Sequence, residues 1–451
     1  MRILVIGGNA AGLTAASRAR RLDSSCSVTV LEASERIAYS ICGLPFAISG
    51  EVSDFENLVI FTPERLRNER GIEALVNRRA VELVPGRKRV VAENTISGAR
   101  ESHLYDKLLI ATGYRPRSLA VEGVKSRGVF TASRLGDGEA MLAWLSRRAA
   151  HRAVLVGGGY VGLEMAEALA VRGLHITLVE ASDRVFPTLD FDMAKYVEEA
   201  LLGNGVRVLT GRRVKQLTSN RDREVEAVEL EPGSLRLPAD IVFVDIGVLP
   251  EVDLAREAGI ALGPTGAIAV SDQMETSASS IYAAGNCVET RHLVTGRPVS
   301  MPLGTVAAKQ GRIAGENLVG RRSRFPGALG TTIVRVFGVA AARTGLGAEE
   351  ARREGFSCLT STVTGRFRAH YFDNGAPATV KVIAERGSGR LLGAQIVGSS
   401  EGAIRIDVAA AAISAGMSVR QASQLDLAYA PPVGALWNPL LVAMNQLMRE
   451  L

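Results

Sequence analysis

Apolar residues along this 451-residue chain fall into two kinds of run, and their alternation predicts the architecture. Arg2-Ile-Leu-Val-Ile6, Ser27-Val-Thr-Val-Leu-Glu32, Lys107-Leu-Leu-Ile110 and Arg152-Ala-Val-Leu-Val156 are apolar on consecutive positions, as strands buried on both faces are. Ala-rich helical stretches follow the first and the last of these. Strand, glycine turn, helix and strand in succession predict parallel sheets flanked by helices, an α/β fold with two doubly wound, Rossmann-like dinucleotide-binding domains. After Gly320 an Arg/Gly/Pro stretch marks a boundary. Beyond it, Thr379-Val-Lys-Val-Ile-Ala384 and Leu391-Leu-Gly-Ala-Gln-Ile-Val397 read as strands and Ile404 to Ile413 as an apolar helix, which predicts an α+β domain at the C-terminus. No apolar run approaches the roughly 20 residues of a membrane span, so no membrane partner is expected.

The glycine turns carry the first chemical signal. Gly7, Gly8, Ala11 and Gly12 belong to Val5-Ile-Gly-Gly-Asn-Ala-Ala-Gly12, between a strand and a helix. In such a unit the backbone N–H groups at the helix N-terminus receive a pyrophosphate. Glu32 ends the next strand twenty positions after Gly12, as a carboxylate bonding a ribose requires. Asn9 replaces the middle glycine of the fingerprint, and Asn tolerates left-handed backbone less freely than Gly. The pattern then repeats. Gly157, Gly159 and Gly162, with Tyr160 and Val161 between them, complete a second G-x-G-x-x-G, and His175-Ile-Thr-Leu-Val-Glu180 again ends in an acid. Glu180 suits a free 2′-hydroxyl and repels a 2′-phosphate, favouring NADH over NADPH, although Arg184 lies close by. Two copies predict two bound dinucleotides.

Composition narrows the class. With 47% apolar and 22% charged residues the chain is neither disordered nor fibrous. The net charge of +6 comes from Arg spread along the chain without a basic block interleaved with aromatics, so no nucleic-acid partner is expected and a small polyanionic ligand accounts for the charge equally well. Cys26, Cys42, Cys287 and Cys358 form no CxxC pair and no metal-ligand cluster, so no metal is expected and thiol chemistry must rest on one sulfur. Ala38-Tyr-Ser-Ile-Cys-Gly-Leu-Pro-Phe46 follows Glu32 directly. Gly43 and Pro45 suggest a chain turning into a helix, which would aim N–H dipoles at Cys42 and lower its pKa. Local context fits a buried core cysteine equally well. The first residues enter a strand without an export signal, and a cytoplasmic location is expected.

Both fingerprints, together with Tyr105-Asp-Lys-Leu-Leu-Ile-Ala-Thr-Gly113 and Thr276-Ser-Ala-Ser-Ser-Ile-Tyr-Ala-Ala-Gly-Asn286, resemble the two-dinucleotide flavoprotein disulfide reductases over essentially the whole chain. The resemblance implies FAD on the first fingerprint and NADH on the second. It divides the chain into an FAD domain at residues 1–119 and 250–325, an NAD domain at 120–249 and a dimerisation domain at 330–451. It places Val81, Ala111, Thr112, Gly113, Asn286 and Leu303 at the flavin nucleotide and Gly247 at the nicotinamide nucleotide, with Tyr160 shielding the nicotinamide side. Asn286 stands where the family usually has an Asp that bonds the ribityl chain.

The run Cys42-Gly-Leu-Pro45 and its spacing from Glu32 are similar to the single-cysteine branch of that family: coenzyme A disulfide reductases, persulfide or polysulfide reductases, and NADH oxidases and peroxidases. The second Cys of the dithiol branch is missing, and Ala10 stands where the sulfenic-acid enzymes carry His. The resemblance therefore implies a coenzyme A disulfide, or a related small disulfide or persulfide, as substrate, with coenzyme A as substrate or as an adduct on Cys42. The alternatives are an NADH oxidase and a low-turnover flavin-binding redox sensor. On this reading Arg18, Arg21, Arg65 and Arg67 meet coenzyme A phosphates and Ser40 lies beside the substrate. Tyr429 and Tyr371 match tyrosines that reach the reactive cysteine across a homodimer, although the loop after Phe372 departs from the usual Tyr-Pro-Gly. His292, near the active-site loop, reads as an ordinary surface residue.

Overall fold

A computed structural model describes residues 1–372 and 376–451. Strand β1 (Arg2–Ile6) lies between β2 (Ser27–Leu31) and β4 (Lys107–Ile110) and runs parallel to both, and β3 (Ile72–Leu75) pairs beyond β2. Both faces of β1 are covered, Ile3 and Val5 by helices and Leu4 and Ile6 by the antiparallel strands Arg78–Val84 and Arg89–Asn94, which explains its unbroken apolar run. Helix α1 (Ala10–Leu22) buries Ala11, Ala15, Ala16 and Ala19, side chains small enough for another helix to approach its backbone. The chain then leaves for a second sheet. There β6 (Arg152–Val156) pairs with β7 (His175–Val179) and β9 (Ile241–Val244), with β8 (Arg207–Leu209) and β5 (Val129–Phe130) at the edges, all parallel.

The chain returns as β10 (Ile281–Ala283), which closes the first sheet in the order β10-β4-β1-β2-β3, matched by β8-β7-β6-β9-β5 in the second. The helix from Gly304 to Leu318 then lies on α1. A Cβ on its Gly311 would fall 2.3 Å from the Ala11 carbonyl oxygen, so the two helices meet backbone to backbone.

From Thr332 the pattern changes to five antiparallel strands: β11 (Thr332–Val336), β12 (Val339–Gly345), β13 (Cys358–Gly365), β14 (Ala378–Glu385) and β15 (Leu391–Gly398), in the order β11-β12-β15-β14-β13. Strands β14 and β15 are buried at nearly every position because helices Ile406–Ser414 and Pro439–Leu447 share one core with them. Two parallel α/β units of matching strand order thus precede an α+β C-terminal domain.

The C-terminal domain is tied to the second unit. Lys381 of β14 pairs with Asp190 at 2.9 Å and Asp192 at 2.7 Å, and the Asp190 carboxylate accepts the Ala348 N–H at 3.0 Å. His292 is buried rather than exposed, because its Nδ1 accepts the N–H groups of Val294 and Thr295 at 3.2 and 3.3 Å in a tight turn. Among the described residues no helix is long and apolar enough to cross a membrane, and no cluster of His, Cys, Asp or Glu could hold a metal ion.

Candidate active site

The two glycine turns are built alike, bond for bond. Gly7 N–H donates to Leu31 O at 2.8 Å, and Gly157 N–H donates to Val179 O at 2.8 Å. Gly8 N–H donates to Glu32 Oε2 at 2.8 Å, and Gly158 N–H to Glu180 Oε2 at 2.7 Å. The second oxygen of each acid takes a backbone N–H two residues on, from Ser34 at 2.9 Å and from Ser182 at 2.7 Å. Each carboxylate thus braces the loop that precedes it. Gly7 and Gly157 have φ of +105° and +111°, the positions that need glycine. Asn9 does not: its φ is −112°, extended rather than left-handed, and its Oδ1 accepts the Tyr39 N–H at 3.2 Å.

The first turn opens into a cavity of about 1290 Å³, above the roughly 300–1,000 Å³ common for one small ligand. Gly7, Gly8, Asn9 and Ala11 line one end with Glu32, Val81, Ala111, Thr112, Gly113 and Asn286. Gly12 packs beneath the loop, where an added Cβ would fall 1.9 Å from Gly7 O. The Asn286 Oδ1 is buried without a hydrogen-bond partner, an arrangement worth about 1–3 kcal/mol of lost solvation. An elongated dinucleotide whose polar chain donates to Asn286 fits this cavity, so the residues suit FAD. The Thr112 hydroxyl is already spent on Glu251 O at 2.6 Å. Leu303, expected at the cofactor, does not line the cavity; it packs into the apolar cluster under α1, while Pro302 and Gly304 on either side of it face the space.

Cys42 lies in the single 3₁₀ turn Ile41–Gly43, which passes directly into α2 (Leu44–Ser49). It is exposed and lines the same cavity, with Tyr39, Ser40 and Tyr114. Its thiol is not acidified as the turn suggests: the residue is open on the cavity side, but the protein packed around the sulfur removes enough water to push the thiol up, and the negative charge of Glu164 pushes the same way. Tyr114 is pushed up to about 12 by burial, with the charges of Cys42 and Asp245 adding to it. It therefore keeps its proton at neutral pH and remains a donor beside the sulfur. Cys26 and Cys287 are buried.

Arg18 and Arg21 line the cavity, Arg18 while pairing with Glu316 at 2.7 Å. Arg65 and Arg67 do not line it: Arg65 is paired with Glu69 at 2.8 Å and Arg67 with Glu73 at 2.6 Å, partners that face them across one helix and its flanking strand. Arg70 and Arg79 line it instead, Arg70 with its guanidinium 4.8 Å from the Phe61 ring centre. No motif marked these two. Tyr371 and Tyr429 are 63% and 51% exposed, away from the cavity of their own chain. The loop after Phe372 runs into residues 373–375, which lie outside the described residues.

In the second turn Gly157, Gly159, Val161 and Gly162 open α3 (Tyr160–Val171). The Tyr160 ring meets Phe186 edge-on at 4.7 Å and its hydroxyl shares a 2.7 Å hydrogen bond with Thr332 of β11. Gly247 has φ +93°, as Gly113 has +75° at the matching place in the first unit. Asp245, which sequence reasoning passed over, accepts the Gly162 N–H at 3.2 Å. Arg184 is held by Glu349 at 2.6 Å and by Leu189 O at 3.1 Å.

Residues 1–311 match the family described as pyridine nucleotide-disulphide oxidoreductase, and residues 331–439 match its dimerisation domain. The NAD(P)H coenzyme A polysulfide/persulfide reductase of Pyrococcus horikoshii is 37% identical over 444 residues, 98% of this chain and 97% of that protein. The NADH oxidase of Methanocaldococcus jannaschii is 32% identical over 452 residues, 100% of this chain and 99% of that protein. Among solved structures, a NAD-dependent persulfide reductase from A. fulgidus superposes with a TM-score of 0.96 at 40% identity, covering 100% of this chain and 83% of that one.

Proposed function

The chain belongs to the pyridine nucleotide-disulphide oxidoreductase family, and from that premise we propose an NADH- and FAD-dependent reductase that acts on a coenzyme A disulfide, or a related small disulfide or persulfide, through Cys42. The observation that carries this reading is one exposed sulfur on the wall of the large cavity, with Cys26 and Cys287 buried and no disulfide formed. FAD bound in that cavity supplies two-electron chemistry, linking NADH oxidation to sulfur. Residues 1–119 and 250–325 hold it, 120–249 hold NADH, and 330–451 pair two copies into a homodimer in the cytoplasm.

Cys42 as thiolate attacks one sulfur of the disulfide, forming a mixed disulfide and releasing the first thiolate. Reduction of that mixed disulfide by NADH balances as Cys42–S–S–R + NADH giving Cys42–SH, RS⁻ and NAD⁺. Tyr114 donates a hydrogen bond toward charge on the sulfur. Arg18, Arg21 and Arg70 supply positive charge to the phosphates of a coenzyme A-like ligand along the same cavity. Asn286 and the Gly7–Ala11 loop hold the flavin nucleotide, and Glu180 with the Gly157–Gly162 loop holds NADH. Tyr429 and Tyr371 reach the sulfur of the other copy and assist proton transfer there.

Mass spectrometry of the intact, unreduced protein tests the reading. An adduct of coenzyme A size on Cys42 is expected. A gain of one oxygen would overturn it in favour of an NADH oxidase, the second reading that the Methanocaldococcus relative keeps in view. Oxygen uptake with and without coenzyme A disulfide separates the two: the reductase consumes NADH faster with the disulfide and takes up little oxygen.

A further inference from the structure

An acid at the end of the second strand marks where the adenosine ribose lies in a dinucleotide unit, and around Glu32 and Glu180 the two units agree well beyond the glycine turns. Ser34 O accepts the Asn77 N–H at 2.9 Å, and Glu32 O accepts the Arg78 N–H at 2.8 Å. Ser182 O accepts the Gly211 N–H at 2.7 Å, and Glu180 O accepts the Arg212 N–H at 3.1 Å. Each segment then enters the first strand of a three-stranded antiparallel sheet, Arg78–Val84 in one unit and Arg213–Ser219 in the other. Arg78 and Arg79 therefore correspond to Arg212 and Arg213. In the first unit that pair lines the cavity together with Glu32.

Arg184, nearer in sequence, is excluded by the same match. Arg36 and Arg184 each stand four residues after the acid. Arg36 does not line the first cavity, because Glu56 at 2.8 Å and Glu139 at 2.9 Å hold it. Arg184 is held in the same manner, by Glu349 at 2.6 Å and Leu189 O at 3.1 Å. In both units an arginine at this position is spent on tying elements together. Of the two that remain near Glu180, Arg212 donates its guanidinium to Pro232 O. Arg213 is exposed, and among the described residues no ion pair or hydrogen bond engages its guanidinium, although Glu231 lies opposite it on the ladder. Its counterpart Arg79 is exposed as well.

We propose that Arg213 is a nucleotide-binding residue of the second site: its guanidinium meets a 2′-phosphate and so limits the preference for NADH that Glu180 imposes. The inference rests on reading the Gly157–Gly162 turn as the nicotinamide-nucleotide site. Glu180 accepts a hydrogen bond from a free 2′-hydroxyl and repels a phosphate in its place. A guanidinium beside it gives charge-assisted, forked bonds to the phosphate and gains little from the hydroxyl. The two side chains pull in opposite directions, and their balance sets how far NADPH is accepted.

Calorimetric titration of the FAD-loaded protein with ADP-ribose and with 2′-phospho-ADP-ribose, which differ only at the 2′ position, tests this without turnover. Arg213→Gln should weaken the phosphorylated ligand at least about tenfold and leave ADP-ribose within about twofold. Arg213→Lys should recover part of that loss, because the charge stays while the fork is removed. Arg184→Gln should leave the ratio of the two affinities unchanged. Flavin absorbance and melting temperature, measured for each variant, check that the fold is kept.

An unchanged affinity for the phosphorylated ligand in Arg213→Gln would overturn the proposal. So would equal weakening of both ligands, a selective loss in Arg184→Gln instead, or a parent protein that binds ADP-ribose but not its 2′-phosphate. Failure of the parent to bind ADP-ribose at all is a different result: it would remove the nucleotide reading of the second turn, and the role of Arg213 with it.

Discussion

The two glycine turns share backbone bonds, carboxylate braces and strand order, yet they surround different spaces. In the first, Ala111 follows β4 and leaves the helix N-terminus open to a cavity. In the second, the matching residue is Asp245, whose carboxylate already caps Gly162 N–H, and Tyr160 stands across Phe186 with its hydroxyl pinned to Thr332. On the proposed reading the first turn keeps the flavin, while the second carries an acid of its own and a ring held across Phe186. The same local motif thus opens on two different surroundings, and the difference comes from residues outside the motif.

The largest expected effect separates the two turns directly. A Cβ at Gly12 would fall 1.9 Å from Gly7 O, and at Gly162 2.1 Å from Gly157 O, overlaps of the kind that cost roughly 3 kcal/mol. Gly12→Ala should therefore purify without flavin absorbance and without activity. Gly162→Ala should keep its flavin and lose NADH affinity. Equal loss of flavin in both would break the comparison. Next, Cys42→Ser should bring disulfide turnover to background while NADH affinity, measured by titration, stays put; full turnover in this variant would remove the sulfur from the mechanism.

Asp245→Asn should tighten NADH binding by up to about 1 kcal/mol, or about fivefold, because a charge at a helix N-terminus competes with an incoming pyrophosphate. An unchanged KM would show that the ligand does not approach Gly162. Thr332→Val removes the partner of the Tyr160 hydroxyl, worth about 1 kcal/mol. Stopped-flow reduction at low NADH should be faster if the ring is thereby freed, and the same rate would mean that Tyr160 is no gate. The smallest change is Asn9→Gly, which loses the bond to Tyr39 N–H at about 1 kcal/mol or less and should leave flavin content intact.

The loops, the acids that end the following strands and the parallel strands were legible in the sequence because each depends on neighbours close along the chain: glycine where φ is positive, apolar runs where both faces are buried, an acid at a strand end; that those acids brace the loops, rather than only facing a ribose, was not. Cys42 was legible as exposed chemistry only through resemblance, since its local segment reads equally well as core. Its pKa was misjudged because the shift comes first from burial and then from Glu164, 122 positions away in sequence, and nothing local announces either. Arg65 and Arg67 were expected to meet the phosphates of a coenzyme A ligand, whereas Arg70 on the same helix is the one that faces the cavity. His292 was taken as exposed because the turn that its ring caps has no sequence signature.

What the chain order determined by itself is therefore the two nucleotide-binding turns and their carboxylates, through steric and hydrogen-bonding demands that act within a few dozen residues. Which space each turn opens on, which Arg side chains face it, and which distant charges act on the sulfur were decided only when the sheets and the C-terminal domain packed together. Electrostatic fields and cavity walls depend on distance in space, and separation along the chain does not encode that distance.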